Sequence, residues 1–318
     1  MPKVSHPRRG SMQFWPRKRS KHSLVRVRSW ATESKPKILG FIGFKAGMTI
    51  TFVDDNRAKS MTKGENIALP VTIIDCPPLS VCGVAFYRYS RKIASFYAPK
   101  VNQNLSEKMP LAKKQPYSFE KVPEFDDLRL LVNSQPWLAS TGTKKPKVME
   151  IALGGNKDSK LAFAKEKLGK EIAVTEVFET GQLVDLHAVT KGKGFQGTVK
   201  RFGVPIRQHK AEKTKRGIAT LGPWHPNRIA FTVPQPGKMG FHLRTEYNKQ
   251  ILKLSDKGEE VNPAGGLLKY GLVKNPYLLI KGSVAGPKKR ALVLTQALRP
   301  NKMVPKEAFQ VTGVRTQN

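Results

Sequence analysis

The run at residues 192–197 has the spacing that most resembles a site of chemistry. It reads Gly-Lys-Gly-Phe-Gln-Gly and matches G-x-G-x-x-G, the pattern that holds a pyrophosphate in dinucleotide-binding proteins. That function requires the run to open a helix and an acidic residue about 20 positions later. Residues 198–203 show no amphipathic helical pattern, and the next acid is Glu212. The pattern therefore argues against a nucleotide-cofactor site.

With Val199 the same run also fits a kinase glycine loop, but the sequence has neither H-R-D nor D-F-G. We interpret the glycines as allowing the main chain to approach phosphates closely. Neutralisation would come from the neighbouring cations, which are Lys191, Lys193, Lys200 and Arg201. An enzyme that uses this loop stays open as an alternative.

Histidine and cysteine offer little further chemistry. His225 and His242 have no H-x-x-x-H spacing or paired carboxylates, so we expect neither metal binding nor acid–base catalysis. We expect His242 to donate to a phosphate or a base instead. Cys76 and Cys82 lack zinc-finger spacing and indicate two small buried thiols in a reducing compartment. No cofactor is expected.

Charge is the dominant feature of the composition. The 318 residues contain 57 Lys and Arg against 23 Asp and Glu, a formal net charge of +34. Residues 1–37 carry +10 and residues 190–253 carry +12. Such a density repels itself in a compact state and is tolerable against a polyanion, for which nucleic acid is the commonest cellular candidate.

Both basic segments have few ways to form a core of their own. Residues 1–37 mix Pro, Ser, Arg and Lys with Met12, Phe14, Trp15 and Trp30, and they read as an arm. Bound to RNA, the cations would meet phosphates and the rings would stack on bases. A solvated, unstructured tail is the alternative. Residues 190–253 read as a long loop rich in Gly and Pro, which an external partner should hold.

Trp224 stands at the centre of Gly222-Pro223-Trp224-His225-Pro226. Proline fixes φ, so a tryptophan between two prolines suits neither a strand nor a helix and presents a large rigid face. Stacking one base on it would contribute about 1–3 kcal/mol. The alternative is a ring that folds back on its own domain. Four nearby cations favour the first interpretation: Lys213, Lys215, Arg216 and Arg228.

The intervening sequence is rich in strand patterns. Candidate strands are 39–53 (short strands punctuated by glycines), 67–75, 81–89, 127–133, 148–153, 172–178, 183–189, 228–233, 277–284 and 290–294. The clearest helix is 158–168, with Asn156 or Ser159 as its cap, and 98–123 reads as a loop or short helix. A mainly β barrel or sandwich with an α+β insertion is favoured.

Membrane and secretory functions are not indicated. No uncharged apolar run approaches about 20 residues, and the N-terminus lacks the apolar segment of a secretory signal. A soluble intracellular protein is expected. A transit peptide stays open, although Pro2, Pro7 and Pro16 disfavour the amphipathic helix that such peptides form.

Several separated blocks resemble the family of the universal third protein of the large ribosomal subunit. The blocks are 39–49, 184–197, 216–217, 222–226 and 237–245. The start, residues 5–11 with 15–19, resembles the archaeal and eukaryotic branch of that family, since the bacterial branch lacks the arm. Chain length and the short C-terminal tail favour the archaeal type. Lys215 departs from the His that eukaryotic relatives have before Arg-Gly, so no role of that His is carried over.

The resemblance implies a six-stranded β-barrel of the translation-protein type with long basic extensions and no enzymatic activity. It divides the chain into an arm (1–37), a first barrel part (38–90), an inserted α/β region (91–170) and a second barrel part with the loop (171–318). It implies a structural, cytoplasmic ribosomal protein that binds large-subunit rRNA, meets neighbouring ribosomal proteins and helps early assembly. The loop would reach toward the peptidyl transferase centre with Trp224 at its tip.

The residues expected to contact rRNA are Arg8, Arg9, Trp15, Arg17, Lys18, Arg19, Lys191, Lys193, Lys200, Arg201, Lys213, Lys215, Arg216, Trp224, His225, Arg228, Lys238, His242 and Arg244. A non-ribosomal nucleic-acid binder, such as a chromatin-like protein, is the alternative from another class. It would bind duplex DNA with no preference for structured rRNA.

Overall fold

A computed structural model describes residues 8–57, 60–99, 105, 124–218, 220–304 and 309–316. Most of the stretch interpreted as a loop or short helix, 98–123, lies outside the described residues. The chain forms two compact units. The first combines residues 1–22 with 189–243, and the second combines residues 23–188 with 244–318.

The secondary structure is dominated by strands. In chain order they are β1 Gly40–Asp54, β2 Asn66–Asp75, β3 Leu79–Arg88, β4 Arg91–Tyr97, β5 Asp127–Asn133, β6 Val148–Ala152, β7 Glu171–Ile172, β8 Leu183–Val189, β9 Phe195–Gln196, β10 Gly237–Lys238, β11 Leu243–Ser255, β12 Tyr277–Lys281, β13 Ala291–Gln296 and β14 Gln310–Val314. The α-helices are α1 Lys157–Lys167 and α2 Thr198–Phe202. Short 3-10 helices lie at Met12–Phe14, Val174–Glu176, Glu212–Thr214 and Gly258–Val261. The mainly β prediction is confirmed.

The larger sheet of the second unit has seven strands in the order β13-β8-β11-β12-β2-β1-β14. β13 also pairs antiparallel with β1, from Gly40 opposite Thr295 to Phe44 opposite Ala291. The pairings of six strands therefore close into a ring. β14 pairs with the C-terminal end of β1, from Thr51 to Asp54.

β12 shows why a continuous apolar run forms a strand here. Leu278 and Ile280 belong to one buried cluster, whereas Tyr277 and Leu279 belong to another. Because successive side chains of a strand point to opposite faces, a strand that is covered on both sides needs no polar alternation.

The smaller sheet has five strands, with β4-β3-β5-β6 in order and β7 beside β3. Helix α1 buries Ala164, and Lys160 on this helix forms an ion pair of 2.8 Å with Asp127 on β5. The predicted helix is confirmed, although the side chain of its N-cap residue, Asn156, makes no capping hydrogen bond.

Several strand predictions need correction. Residues 39–53 form one long strand with an irregular register between Lys45 and Gly47, not short pieces. Residues 172–178 contain a 3-10 helix, and 228–233 form no strand. Residues 243–253 of the predicted loop belong to strand β11. This strand was not predicted because most of its residues are polar, although Gln250–Leu252 are buried. Strands β4, β9, β10 and β14 were not predicted.

Residues 23–37 belong to the second unit, although the sequence suggested a basic arm as far as residue 37. Val25 and Val27 are buried, and they alternate with exposed Arg26 and Arg28. The ring of Trp30 lies so close to Gly40 that a Cβ there would be 2.9 Å from it. This part of the predicted arm therefore packs as an extended segment.

Candidate nucleic-acid interface

Half of the net charge is concentrated in the first unit, which we call the basic unit (residues 1–22 and 189–243). These 77 residues contain 18 Lys and Arg and one acid, Glu212, so they carry +17 of the total +34. The other 241 residues carry the remaining +17. A unit with one carboxylate cannot neutralise its own cations, and a polyanion is the partner that would.

An aromatic cluster joins the two segments of the basic unit. The ring of Trp15 stacks on Phe202 with centroids 6.0 Å apart, and it meets Phe231 edge-on at 5.9 Å. The Arg17 guanidinium lies 4.5 Å from the centroid of Phe202. Gly10 has φ +83°, and a Cβ there would lie 2.5 Å from the Phe202 ring, so only glycine allows this approach.

His242 ties the same segments together by hydrogen bonds. Its Nδ1 lies 2.9 Å from the main-chain oxygen of Lys18 and donates to it, while Nε2 accepts from the N–H of Gly240 at 3.1 Å. Its own N–H donates to Thr190 Oγ1 at 3.1 Å. The side chain is only 7% exposed. His242 therefore has no ring nitrogen left to donate to a phosphate, contrary to the expectation from sequence.

Arg201 has a similar internal role. Its Nη1 donates to the oxygen of Gln235 at 2.8 Å, and its Nε donates to the oxygen of Lys238 at 3.2 Å. A Cβ at Gly237 would lie 2.8 Å from Nη1. Burial and, to a smaller extent, the charge of Arg17 lower the pKa of this guanidinium. Arg201 thus fastens helix α2 to the segment around β10.

The glycine-rich run has a structural function within this unit. β9 pairs antiparallel with β10, with Phe195 opposite Lys238, and α2 begins directly after Gly197. This five-residue helix was not predicted, because residues 198–203 show no amphipathic helical pattern. Gly240 has φ +75°, and a Cβ there would lie 2.1 Å from the oxygen of Lys191. Gly240 therefore has to be glycine because its backbone crosses that of Lys191, next to the glycine-rich run.

The structure separates the nineteen predicted contact residues into groups. Trp15, Arg17 and Arg201 are half-buried and His242 is buried within the basic unit, whereas Arg244 lies half-buried in β11 of the second unit. The remaining fourteen are exposed: Arg8, Arg9, Lys18, Arg19, Lys191, Lys193, Lys200, Lys213, Lys215, Arg216, Trp224, His225, Arg228 and Lys238.

Trp224 projects from an exposed segment. Every residue from 221 to 230 is exposed, and the Trp224 side chain is 83% exposed. Thr220 Oγ1 accepts from the N–H of Gly222 at 3.3 Å at the base of this segment. Two further exposed rings were missed from the sequence, Phe195 at 71% and Phe231 at 72%. Their only sequence signal was an aromatic residue within a basic, glycine-rich context.

Other kinds of site find no support in the described part of the chain. No group of three His, Cys, Asp or Glu side chains there comes close enough to hold a metal ion. Among the same residues, no helix combines the length and apolar character that a bilayer crossing requires.

Comparison with known proteins identifies the class as ribosomal proteins. The model of the family described as ribosomal protein L3 matches residues 1–121 and 113–312. A relative from Methanocaldococcus jannaschii, large ribosomal subunit protein uL3, is 41% identical over 94% of this chain and 93% of its own. The uL3 proteins of Archaeoglobus fulgidus and Pyrobaculum islandicum are 43% and 44% identical, over 94% and 99% of this chain and 94% and 98% of theirs.

The chain belongs to the ribosomal protein L3 family. Members of this family are structural components and not enzymes, which confirms the resemblance drawn from the sequence. The curated relatives named here are archaeal, in agreement with the archaeal type that the resemblance favoured.

Proposed function

We propose that this chain is a structural constituent of the large subunit of the cytoplasmic ribosome and that it binds rRNA through the basic unit. The single observation that carries this proposal is that fourteen of the predicted contact residues are exposed on the basic unit, which contains one acid. Many phosphate contacts would supply most of the affinity, because each one releases counterions from the RNA. Membership in the ribosomal protein L3 family indicates that this RNA is the rRNA of the large subunit.

The internal contacts of the basic unit support a division of labour among the predicted residues. Trp15, Arg17, Arg201 and His242 hold the unit together, and the exposed cations meet phosphates. Trp224 is free of such an internal role at 83% exposure, so it offers a stacking face. We propose that this tip buttresses the RNA near the peptidyl transferase centre without taking part in bond making.

The second unit would anchor the protein on the particle. We propose that the ring of β1, β2, β8, β11, β12 and β13 is the six-stranded barrel of the translation-protein type, with the smaller sheet and α1 as its insertion. The closed set of pairings supports this proposal. Neighbouring large-subunit proteins are further partners in it. Screening of phosphates by the segments 1–37 and 190–253 would let RNA helices pack together early in assembly.

Co-sedimentation tests the ribosomal function directly. Tagged full-length protein should remain with large subunits through a high-salt wash, because an embedded basic unit is retained by geometry as well as by charge. A competition experiment then separates this function from general polyanion binding. Structured large-subunit rRNA should outcompete duplex DNA at equal phosphate concentration; equal displacement by both would show that the protein is a non-ribosomal nucleic-acid binder.

A further inference from the structure

The two-stranded ribbon of β9 and β10 carries a strongly exposed ring in the basic unit. The side chain of Phe195 on β9 is 71% exposed, whereas Phe202 of the same unit is 7% exposed, the more usual situation for phenylalanine. Phe231 has a similar exposure, 72%, but its ring meets Trp15 edge-on. Among the described residues no other aromatic ring packs on Phe195, so its face is available to a ligand.

Hydrogen bonds hold the backbone around this ring. Phe195 pairs with Lys238 across the ribbon. The N–H of Lys193 donates to the oxygen of Met239, and the N–H of Met239 donates to the oxygen of Gly194, each at 2.9 Å. A ring on such a fixed backbone loses less conformational freedom on binding than a ring on a free loop, which favours its use as a contact.

Positive charge surrounds the ring. Lys238 lies directly opposite Phe195, and opposite residues of an antiparallel pair project from the same face, with Cβ atoms about 4.5–5.5 Å apart. Lys191 and Lys193, within the four residues before the ring, are exposed. The ion pairs of the described residues include none of these three lysines. Since Glu212 is the one acid of the basic unit, these cations are left for an external anion.

The glycines next to the ring leave it accessible. A Cβ at Gly194 or at Gly197 would meet no described atom within 4 Å. The φ of +68° accounts for glycine at position 194, whereas Gly197 has a φ of −69°, which any residue adopts. Gln196 bends back, and its Nε2 donates to the oxygen of Lys193 at 2.6 Å. A flat group can therefore approach Phe195 without meeting a bulky side chain at either glycine.

A flat apolar face beside ammonium groups matches a nucleotide, whose base can stack while its phosphate meets the charge. Inside a duplex the neighbouring bases cover both faces of each base, so the partner of this ring is a base that has left the helix. We propose that Phe195 and Lys238 hold one unpaired nucleotide of large-subunit rRNA, with its base on the Phe195 ring and its phosphate at Lys238. This inference rests on the proposed function and adds to it a site for single-stranded RNA at the glycine-rich run.

Equilibrium binding of the full-length protein to a transcript of large-subunit rRNA tests the site. Phe195→Leu keeps an apolar side chain but loses the flat ring, and it should weaken binding about fivefold or more. Phe195→Tyr keeps the ring and should bind like wild type. Tyr89→Leu, which removes a 79% exposed ring outside the basic unit, is the matched control and should have no effect.

Three results of this comparison would overturn the proposal. The first is equal binding by wild type and Phe195→Leu. The second is an equal loss in Phe195→Tyr or in Tyr89→Leu, because the flat ring at this position would then not be what matters. The third is a higher trypsin sensitivity of Phe195→Leu, since a 71% exposed side chain should not support the fold.

The salt dependence separates the ring from the charge. Phe195→Leu should leave the slope of log affinity against log salt unchanged, because the ring is neutral. Lys238→Met should lower that slope by about 0.7, the value for one phosphate of a single strand. In the double variant the two losses should be less than additive, since both side chains hold the same nucleotide. Strictly additive losses would contradict a shared site.

Chemical probing of the 2′-hydroxyl groups identifies the nucleotide. One unpaired nucleotide should lose reactivity when wild type binds and regain it with Phe195→Leu, while the other protections persist. Absence of a protection that depends on Phe195 would overturn the proposal. Failure of the proposed function would look different, because wild type would then bind the transcript no better than duplex DNA at equal phosphate concentration. Failure of this inference alone leaves that preference intact in wild type and in Phe195→Leu.

Discussion

The Nδ1 of His242 donates a hydrogen bond to the main-chain oxygen of Lys18 at 2.9 Å, across 224 positions of sequence. Because Nε2 of the same ring accepts from the N–H of Gly240, the ring is the neutral tautomer with its proton on Nδ1. One buried side chain thus links the N-terminal segment of the basic unit to the C-terminal end of its second segment, residues 189–243. The basic unit has a specific internal structure as well as a high charge.

Replacement of His242 by Ala should loosen this junction. It leaves the oxygen of Lys18 and the N–H of Gly240 without their partner, at a cost of about 1–3 kcal/mol for each group that stays buried. Hydrogen exchange at the Gly240 amide should therefore accelerate by about tenfold or more, since 1.4 kcal/mol corresponds to a factor of ten. His225→Ala, at an exposed histidine, is the control. Unaltered protection of Gly240 in His242→Ala would contradict the assigned role.

Removal of the Trp15 ring should open the basic unit, whereas removal of the Trp224 ring should not. Trp15 is half-buried against Phe202 and Phe231, so Trp15→Ala should cost about 1–3 kcal/mol and expose α2 to trypsin at a higher rate. Trp224→Ala removes an 83% exposed ring and should change the stability of the basic unit by less than about 0.5 kcal/mol, so that the rate of trypsin cleavage stays close to wild type. Equal sensitivity of the two variants would show that Trp224 is a core residue.

The same Trp224→Ala variant should fold normally and still alter the function of the ribosomes that contain it. Loss of the indole removes one stacking face, which contributes about 1–3 kcal/mol for one base. We expect altered tRNA binding or altered sensitivity to drugs of the peptidyl transferase centre, measured on purified subunits. Trp224→Phe, which keeps an aromatic face, should behave close to wild type. Normal tRNA binding and drug sensitivity in Trp224→Ala subunits would contradict the placement of this ring near the centre.

Exposed and inward-facing cations should differ in the salt dependence of RNA binding. Lys193→Ala or Lys213→Ala should each lower the slope of log affinity against log salt by about 0.7–0.9 when the residue meets a phosphate. Arg201→Ala should instead raise trypsin sensitivity, because the bonds to Gln235 and Lys238 are lost. If neither lysine variant changed the slope, those side chains would be merely solvated.

A buried carboxyl predicts an unusual pH dependence in the second unit. Burial raises the pKa of Asp75 to about 6, although Tyr270 donates to it at 2.7 Å and Asn275 at 3.1 Å. Between pH about 4 and 6 the folded state therefore keeps a proton that the unfolded state releases, so this group's contribution to stability falls as pH rises through that window. Above pH about 6 its contribution is constant.

Urea denaturation of wild type and Asp75→Asn at several pH values between 4 and 7 measures this contribution. The difference in unfolding free energy between the two proteins should vary between pH about 4 and 6 and stay level above it. The Asn variant carries a constant offset, because its NH2 group replaces one carboxylate oxygen and cannot accept from the partner at that position. A difference that is independent of pH would show that Asp75 is ionised throughout.

Local sequence patterns were sufficient for much of the second unit. Apolar runs predicted β2, β8 and β12, because many residues of these strands are buried. The alternation of Val25 and Val27 with Arg26 and Arg28 also carried a strand-like signal, which the surrounding charge obscured. β11 could not be found in this way, since its register depends on strands distant in sequence.

The basic unit shows the complementary limit. Exposure of most cations followed from charge alone, because so many like charges cannot be buried together. Which cations and rings turn inward depends on contacts between residues 8–20 and 190–243, and no local pattern encodes such pairs. Trp15 and Trp224 each precede or follow a proline in a basic segment, yet Trp15 is half-buried against Phe202 and Phe231, whereas Trp224 is 83% exposed.

The distance along the chain between Lys18 and His242 has a consequence for synthesis. Translation proceeds at about 5–20 residues per second, so the N-terminal segment waits roughly 10–45 seconds for its counterpart to be made. Throughout that interval its cations and the indole of Trp15 are uncovered in the nascent chain. A chaperone dedicated to this protein would have to bind the N-terminal segment first, while the rest of the chain is still being translated.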